Sequence, residues 1–126
     1  MAPLRGVELG ETELFVATLL LKATTDQPIR VEEIIVRCLH ERTIQLTARG
    51  LRKIIHDLRN EHRFPICSRK GSPAGYWWAR SEAELEEFKS VFLAQALDEL
   101  RTIHRMLKTN SPRLAGQLRL ELALEE

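Results

Sequence analysis

Leu51, Ile54, Ile55 and Leu58 recur at i, i+3, i+4 and i+7, the spacing that lines one side of a helix with aliphatic side chains. At about 100° per residue, Arg49, Arg52, Lys53, His56 and Asn60 fall on the other side, within roughly 80° of its centre. The segment from Ala48 to about His62 is therefore expected to be a helix anchored by aliphatics, presenting three fixed cations, an imidazole and an amide outward. Thr47 is suited to be its N-cap, Gly50 is tolerable in a first turn, and Phe64-Pro65 ends it.

The flanking segments narrow the fold. Glu11 to about Thr24 is apolar nearly all round, as in a helix sandwiched between other elements. Pro28 breaks that run, and Ile29-Arg30-Val31 has the composition of a short strand. Glu32 to about His40 forms a second helix with Ile34, Ile35, Cys38 and Leu39 on one side. Glu41 to Gln45 is a polar turn. Pro65–Arg69 and Tyr76–Arg80 are β-prone, and Lys70-Gly71-Ser72-Pro73-Ala74-Gly75 between them is turn-rich, so the pair reads as a hairpin. Ser81 and Glu84 are spaced as a capping box opening a helix to about Lys108. Ser111 with Pro112 starts a last one ending near Leu124. The expected class is mainly α with a small two- or three-stranded antiparallel sheet. Residues 1–10 form an arm, 11–80 the helix-turn-helix with its wing, and 81–126 a C-terminal helical extension.

Charge is unevenly spread. The formal net charge is +1, yet Arg42 to Lys70 holds eight Lys/Arg against Asp57 and Glu61 and carries +6, leaving −5 for the rest. Such a block is a candidate polyanion surface. The competing reading is a solvated basic face without a partner. Against it, the outward set is rich in Arg and Asn, whose forked donors or donor–acceptor pairs match base edges, and Arg69 and Lys70 add a second basic site on the hairpin. On the DNA reading Arg49, Arg52 and Lys53 address base edges, joined on that face by His56 and Asn60. Thr43, Gln45 and Thr47 address phosphate, and Arg69, Lys70 and Ser72 touch backbone or minor groove from the wing.

Residues 29–80 resemble the winged helix-turn-helix group typified by the biotin operon repressor N-terminal domain. The resemblance rests on Ile29-Arg30-Val31-Glu32-Glu33-Ile34, on Leu46 to Arg59, on Phe64-Pro65-Ile66-Cys67-Ser68 and on Gly75-Tyr76-Trp77-Trp78-Ala79. Small prophage-encoded proteins are similar further on, running from Gly-Tyr-Trp into Ala-Arg-Ser-Glu and an acidic helix. The resemblance implies sequence-specific duplex DNA binding, often by dimers. The turn Glu41–Gln45 departs from the group in being longer and lacking Gly, and no ligase chemistry carries over.

In the long C-terminal helix an apolar stripe recurs every three to four residues over about seven turns, more than a small core needs. Packing on the first helix of the same chain is one use for it. A homodimer interface of Phe88, Phe92, Leu100, Ile103, Leu107 and Leu118 is the other, and would present two reading helices to a pseudo-palindromic site.

Catalytic motifs are not evident. The histidines and cysteines match no metal spacing, and Gly71 and Gly75 lack the sequel of a phosphate loop. One of Trp77 and Trp78 is expected in the core and the other half-exposed. No cofactor, small-molecule ligand or membrane association is expected, and Cys38 and Cys67 read as reduced thiols of a cytoplasmic protein. The expected function is a phage-like or bacterial transcriptional regulator. The alternatives are a phage replication or packaging factor that marks a DNA site, and a protein–protein adaptor on the same scaffold.

Overall fold

The computed structural model describes residues 9–124; positions 1–8 of the expected arm lie outside them. Five helices and one hairpin follow in order: α1 (Glu11–Lys22), α2 (Val31–Arg42), α3 (Ala48–Asn60), β1 (Ile66–Arg69), β2 (Gly75–Trp78), α4 (Glu82–Asn110) and α5 (Pro112–Leu124). The class is mainly α with a two-stranded antiparallel sheet. The chain divides into two compact units, Met1–Glu86 and Glu87–Glu126, with the boundary inside α4.

The first unit closes around α1, which packs on α2, α3 and β2. Val16 and Leu20 of α1, Ile34 and Cys38 of α2, and Leu51, Ile55 and Leu58 of α3 are fully or almost fully buried. Each large aliphatic so buried contributes about 1.5–3 kcal/mol, so the α3 stripe alone fixes which way that helix faces. Leu39, expected on the inner side of α2, is instead 45% exposed.

The hairpin pairs Ile66 with Trp78, Cys67 with Trp77, Ser68 with Tyr76 and Arg69 with Gly75. The expected strand at Ile29–Val31 is a single bridge, Ile29 to Tyr76, closed by two backbone hydrogen bonds of 2.8 Å. It cannot lengthen, because Pro28 precedes it and Val31 already belongs to α2.

Both tryptophans are buried, which corrects the expectation of one half-exposed ring. Trp78 meets Phe64 at 5.0 Å between ring centroids. Trp77, on the other face of the strand, lies under the Arg69 guanidinium at 4.7 Å and donates from Nε1 to Glu84 Oε1 at 3.2 Å. The second face is thus covered by side chains from β1 and the start of α4 instead of by water. Glu84 also differs from a capping box. Its amide donates to Ser81 Oγ at 3.3 Å as expected, but its carboxylate accepts from Arg80 N and Trp77 Nε1, not from Ser81 N.

Two helix ends use left-handed residues that are neither Gly nor Asn. Thr43 (φ 56°) closes α2, with Ile44 N donating back to Cys38 O at 3.0 Å. Arg63 (φ 58°) follows α3, with Phe64 N donating to Leu58 O at 3.0 Å. These bonds satisfy helix carbonyls that would otherwise lack partners.

Cys38 and Cys67 are free and buried, and burial pushes both thiols above their usual range. The thiolate is the reactive species. A thiol–disulfide reagent at neutral pH is therefore expected to label neither cysteine of the native protein and both after unfolding; rapid labelling of the native chain would contradict this packing.

In the second unit, Ser111 separates α4 from α5, and Ala115 N donates to Ser111 O at 3.1 Å, as expected for a helix opening at Pro112. None of the 29 residues of α4 is buried. Of the proposed dimer residues, Phe88, Leu100, Leu107 and Leu118 are half-buried, while Phe92 and Ile103 are 55% and 46% exposed. The rings of Phe88 and Phe92 meet at a tilt of 40°, centroids 5.5 Å apart.

Candidate nucleic-acid interface

The interface begins with what holds α3. Thr47 Oγ1 accepts from Gly50 N at 3.0 Å, making Thr47 the N-cap. A Cβ at position 50 would meet that oxygen at 3.2 Å, so glycine there lets the cap close. The Thr47 hydroxyl hydrogen is left to donate elsewhere. Thr43 and Gln45, in the loop before the cap, are exposed.

Arg49, Arg52, Lys53, His56 and Asn60 are all exposed, opposite the buried Leu51, Ile55 and Leu58. Arg49 and Arg52 make no hydrogen bond or ion pair among the described residues. The others are partly engaged. Lys53 Nζ lies 3.2 Å from Asp57 Oδ2, and His56 Nδ1 lies 3.3 Å from Asp57 Oδ1. These two contacts, His56 first, hold the Asp57 carboxyl below its usual range. An exposed i,i+4 pair is worth only a few tenths of a kcal/mol, so Lys53 can exchange Asp57 for a phosphate at little cost. Asn60 Nδ2 donates to His56 O at 2.7 Å, which uses one of its two amide hydrogens and ties the side chain to its own helix.

The basic block is less uniform than its composition. Arg59 turns back from α3 to the hairpin, where Nε donates to Ile66 O at 2.9 Å and Nη2 to Ser68 Oγ at 3.2 Å, under the Tyr76 ring. Burial lowers its pKa. Arg42 sits over Phe15 at 5.1 Å.

Arg69 is the clearest departure. Its Nη1 donates to Thr25 O and Pro73 O, both at 3.0 Å, and its Nη2 to Thr25 Oγ1 at 2.7 Å. Arg80 likewise donates to Leu21 O and Ala23 O. Two hairpin arginines therefore clamp the α1–α2 connection, a role that the sequence reading missed for both. Three of the five N–H donors of Arg69 are thus committed within the chain, so its guanidinium is held in place, unlike the uncommitted Arg49 and Arg52. Lys70 and Ser72 remain exposed at the tip.

Separate outcomes follow for the neighbours. Arg69→Ala is expected to lose about 2–4 kcal/mol, since hydrogen bonds from a charged donor contribute roughly 1.5–3 kcal/mol each and overlap in part. Lys70→Ala is expected to stay within about 0.5 kcal/mol of the parent. Urea midpoints of the two variants check this, and equal midpoints would contradict the clamp.

Among the described residues no group of His, Cys, Asp and Glu could hold a metal ion, and no helix is long and apolar enough to cross a membrane. Comparison of the chain with known protein families, curated proteins and solved structures finds no match.

Proposed function

We propose that this chain is a sequence-specific double-stranded DNA-binding protein of the winged helix-turn-helix type, working as a homodimeric transcriptional regulator without catalytic activity. One observation carries the reading: Arg49 and Arg52 stand exposed and uncommitted on a helix whose opposite side is locked in the core. In this reading α3 enters the major groove, with Arg49, Arg52 and Lys53 at base edges or adjacent phosphates and His56 beside them. Thr43, Gln45 and Thr47, with the first amides of α3, face one phosphate strand. Lys70 and Ser72 touch the backbone from the hairpin tip.

The hairpin is suited to that task, since the bridge at Ile29 and the Arg69 clamp hold its base while Lys70 and Ser72 are exposed between its strands. The exposed apolar side chains of α4 and α5 support the dimer, because isolated reading helices gain affinity by pairing on two half-sites. The test is duplex binding by a variant carrying Arg49→Ala and Arg52→Ala beside the parent. Unchanged affinity would remove the proposed role of α3.

A further inference from the structure

The second unit holds an open groove of about 330 Å³ between α4 and α5. Leu97 and Leu100 of α4 and Leu118 and Leu122 of α5 form its apolar lining. The leucines of each pair are three or four residues apart and so share one side of their helix. Leu97 and Leu122 are 39% and 45% exposed, which leaves apolar surface open to water at a concave site. Arg119 Nε donates to His104 Nε2 at 3.0 Å, tying the two helices together.

The edge of the groove is basic. Arg101, Arg105 and Arg119 complete the lining, with no carboxylate among the lining residues. Arg101 and Arg105 are exposed and make no hydrogen bond or ion pair among the described residues. From Leu100 to Leu120 the chain holds five Lys/Arg and no Asp or Glu. Cations so placed, with no carboxylate between them, are stabilised by an anionic occupant. Leucines in the middle and arginines at the edge narrow the choice. A nucleic acid would meet the arginines and leave the leucines wet. A second copy seated face to face would set arginine against arginine. A helix with an apolar ridge flanked by carboxylates meets both conditions, and a groove between two helices takes a third by ridge-into-groove packing. The lengths agree: the lining runs from Leu97 to Arg105 along α4, about 12 Å at the usual rise, and a ridge at i, i+3, i+4 and i+7 is about 10 Å long.

We propose that this groove docks an acidic amphipathic helix of another protein, its apolar ridge on the four leucines and its carboxylates on Arg101, Arg105 and Arg119. The inference goes beyond the proposed function and stands whether or not α3 meets DNA. It also divides the sides of α4. At about 100° per residue, Phe92 and Ile103 lie roughly 120–140° around the helix from Leu97. They stay available to a dimer, while Leu100 and Leu118 serve the groove.

Three synthetic helices of about four turns test it by fluorescence anisotropy. The first has leucines at i, i+3, i+4 and i+7 flanked by glutamates. The second has the same composition with the leucines spread round the helix, and the third has lysines in place of the glutamates. The parent protein is expected to bind the first saturably and the other two about tenfold or more weakly. A protein with Arg101→Glu and Arg105→Glu is expected to lose about tenfold or more for the first and to bind the third instead, which also shows that it folds. Should it bind neither, Arg101→Gln with Arg105→Gln decides, with a loss of about threefold expected for the first helix; unchanged binding there overturns the inference. The Arg49→Ala and Arg52→Ala protein is expected to bind the first helix as the parent does, so a failure of α3 to meet DNA is read separately. No binding by the parent, equal binding of the first two helices, or full binding by the charge-reversed protein overturns the inference. So does a changed mass of that protein by light scattering, which would place a second copy in the groove. A loss of its duplex affinity, with no helix bound by the parent, would overturn it too and assign the arginines to nucleic acid.

Discussion

A protein with Arg49→Ala and Arg52→Ala is expected to bind duplex DNA at least thirtyfold more weakly than the parent, with unchanged thermal stability. Each guanidinium in bidentate contact with a base contributes about 1–3 kcal/mol of discrimination, so losing both costs about 2–6 kcal/mol. Stability is spared because both side chains are exposed and make no hydrogen bond or ion pair among the described residues, and surface changes of that kind stay within about 0.5 kcal/mol. Lys22→Ala serves as the control. It removes an exposed charge from the end of α1, remote in sequence from α3, and is expected to change affinity less than twofold. If the control and the double variant lose affinity alike, the effect is one of net charge alone and α3 has no special place.

Gly75→Ala is expected to cause the largest loss of stability from any single methyl group, about 2–6 kcal/mol. Gly75 has φ +137°, a conformation that L side chains rarely adopt, and a Cβ there would lie 2.6 Å from Ile29 O and 2.8 Å from Ile29 C. Strain of this kind costs about 1–3 kcal/mol, and forcing an atom into packed structure a similar amount. The obstructing atoms are backbone and cannot rotate away. Relief requires opening the Ile29–Tyr76 bridge, which ties the α1–α2 connection to the hairpin. A domain of this size is stable by only about 5–15 kcal/mol, so the variant approaches unfolding under mild conditions. Gly71→Ala, where nothing lies within 4 Å, is expected to be near neutral. Equal urea midpoints for the two variants would show that the close approach at Gly75 carries no weight.

The reach of the sequence reading follows from how local each signal is. The α3 faces were legible because Leu51, Ile55 and Leu58 lie within two turns of the cations they oppose. The Thr47 cap and the Pro112 helix start were legible for the same reason. The fate of individual guanidiniums was not. Arg59 and Arg69 count toward the basic block as much as Arg49 and Arg52 do, yet their partners are carbonyls and hydroxyls brought by folding, Thr25 being 44 positions away from Arg69. Alternation along β2 assumed one wet face, and a cation with one helix turn covered the second, so both tryptophans are buried. The left-handed ends at Thr43 and Arg63 carry none of the usual Gly or Asn markers. Gly75 reads as a turn residue until Ile29, far back in the chain, is placed against it.

The outward face of α3 and the hairpin tip are proposed to form one contact with a polyanionic duplex. Its most direct measurement is the affinity of the parent protein for duplex DNA across a salt series. With Arg49, Arg52, Lys53 and Lys70 each displacing a counterion, log K is expected to fall with log salt at a slope of about −4 per protomer. For the proposed dimer, with both protomers engaged, affinity then drops by roughly four orders of magnitude between about 50 and 200 mM salt. Duplex binding that is absent at low salt, or indifferent to salt, would contradict the account.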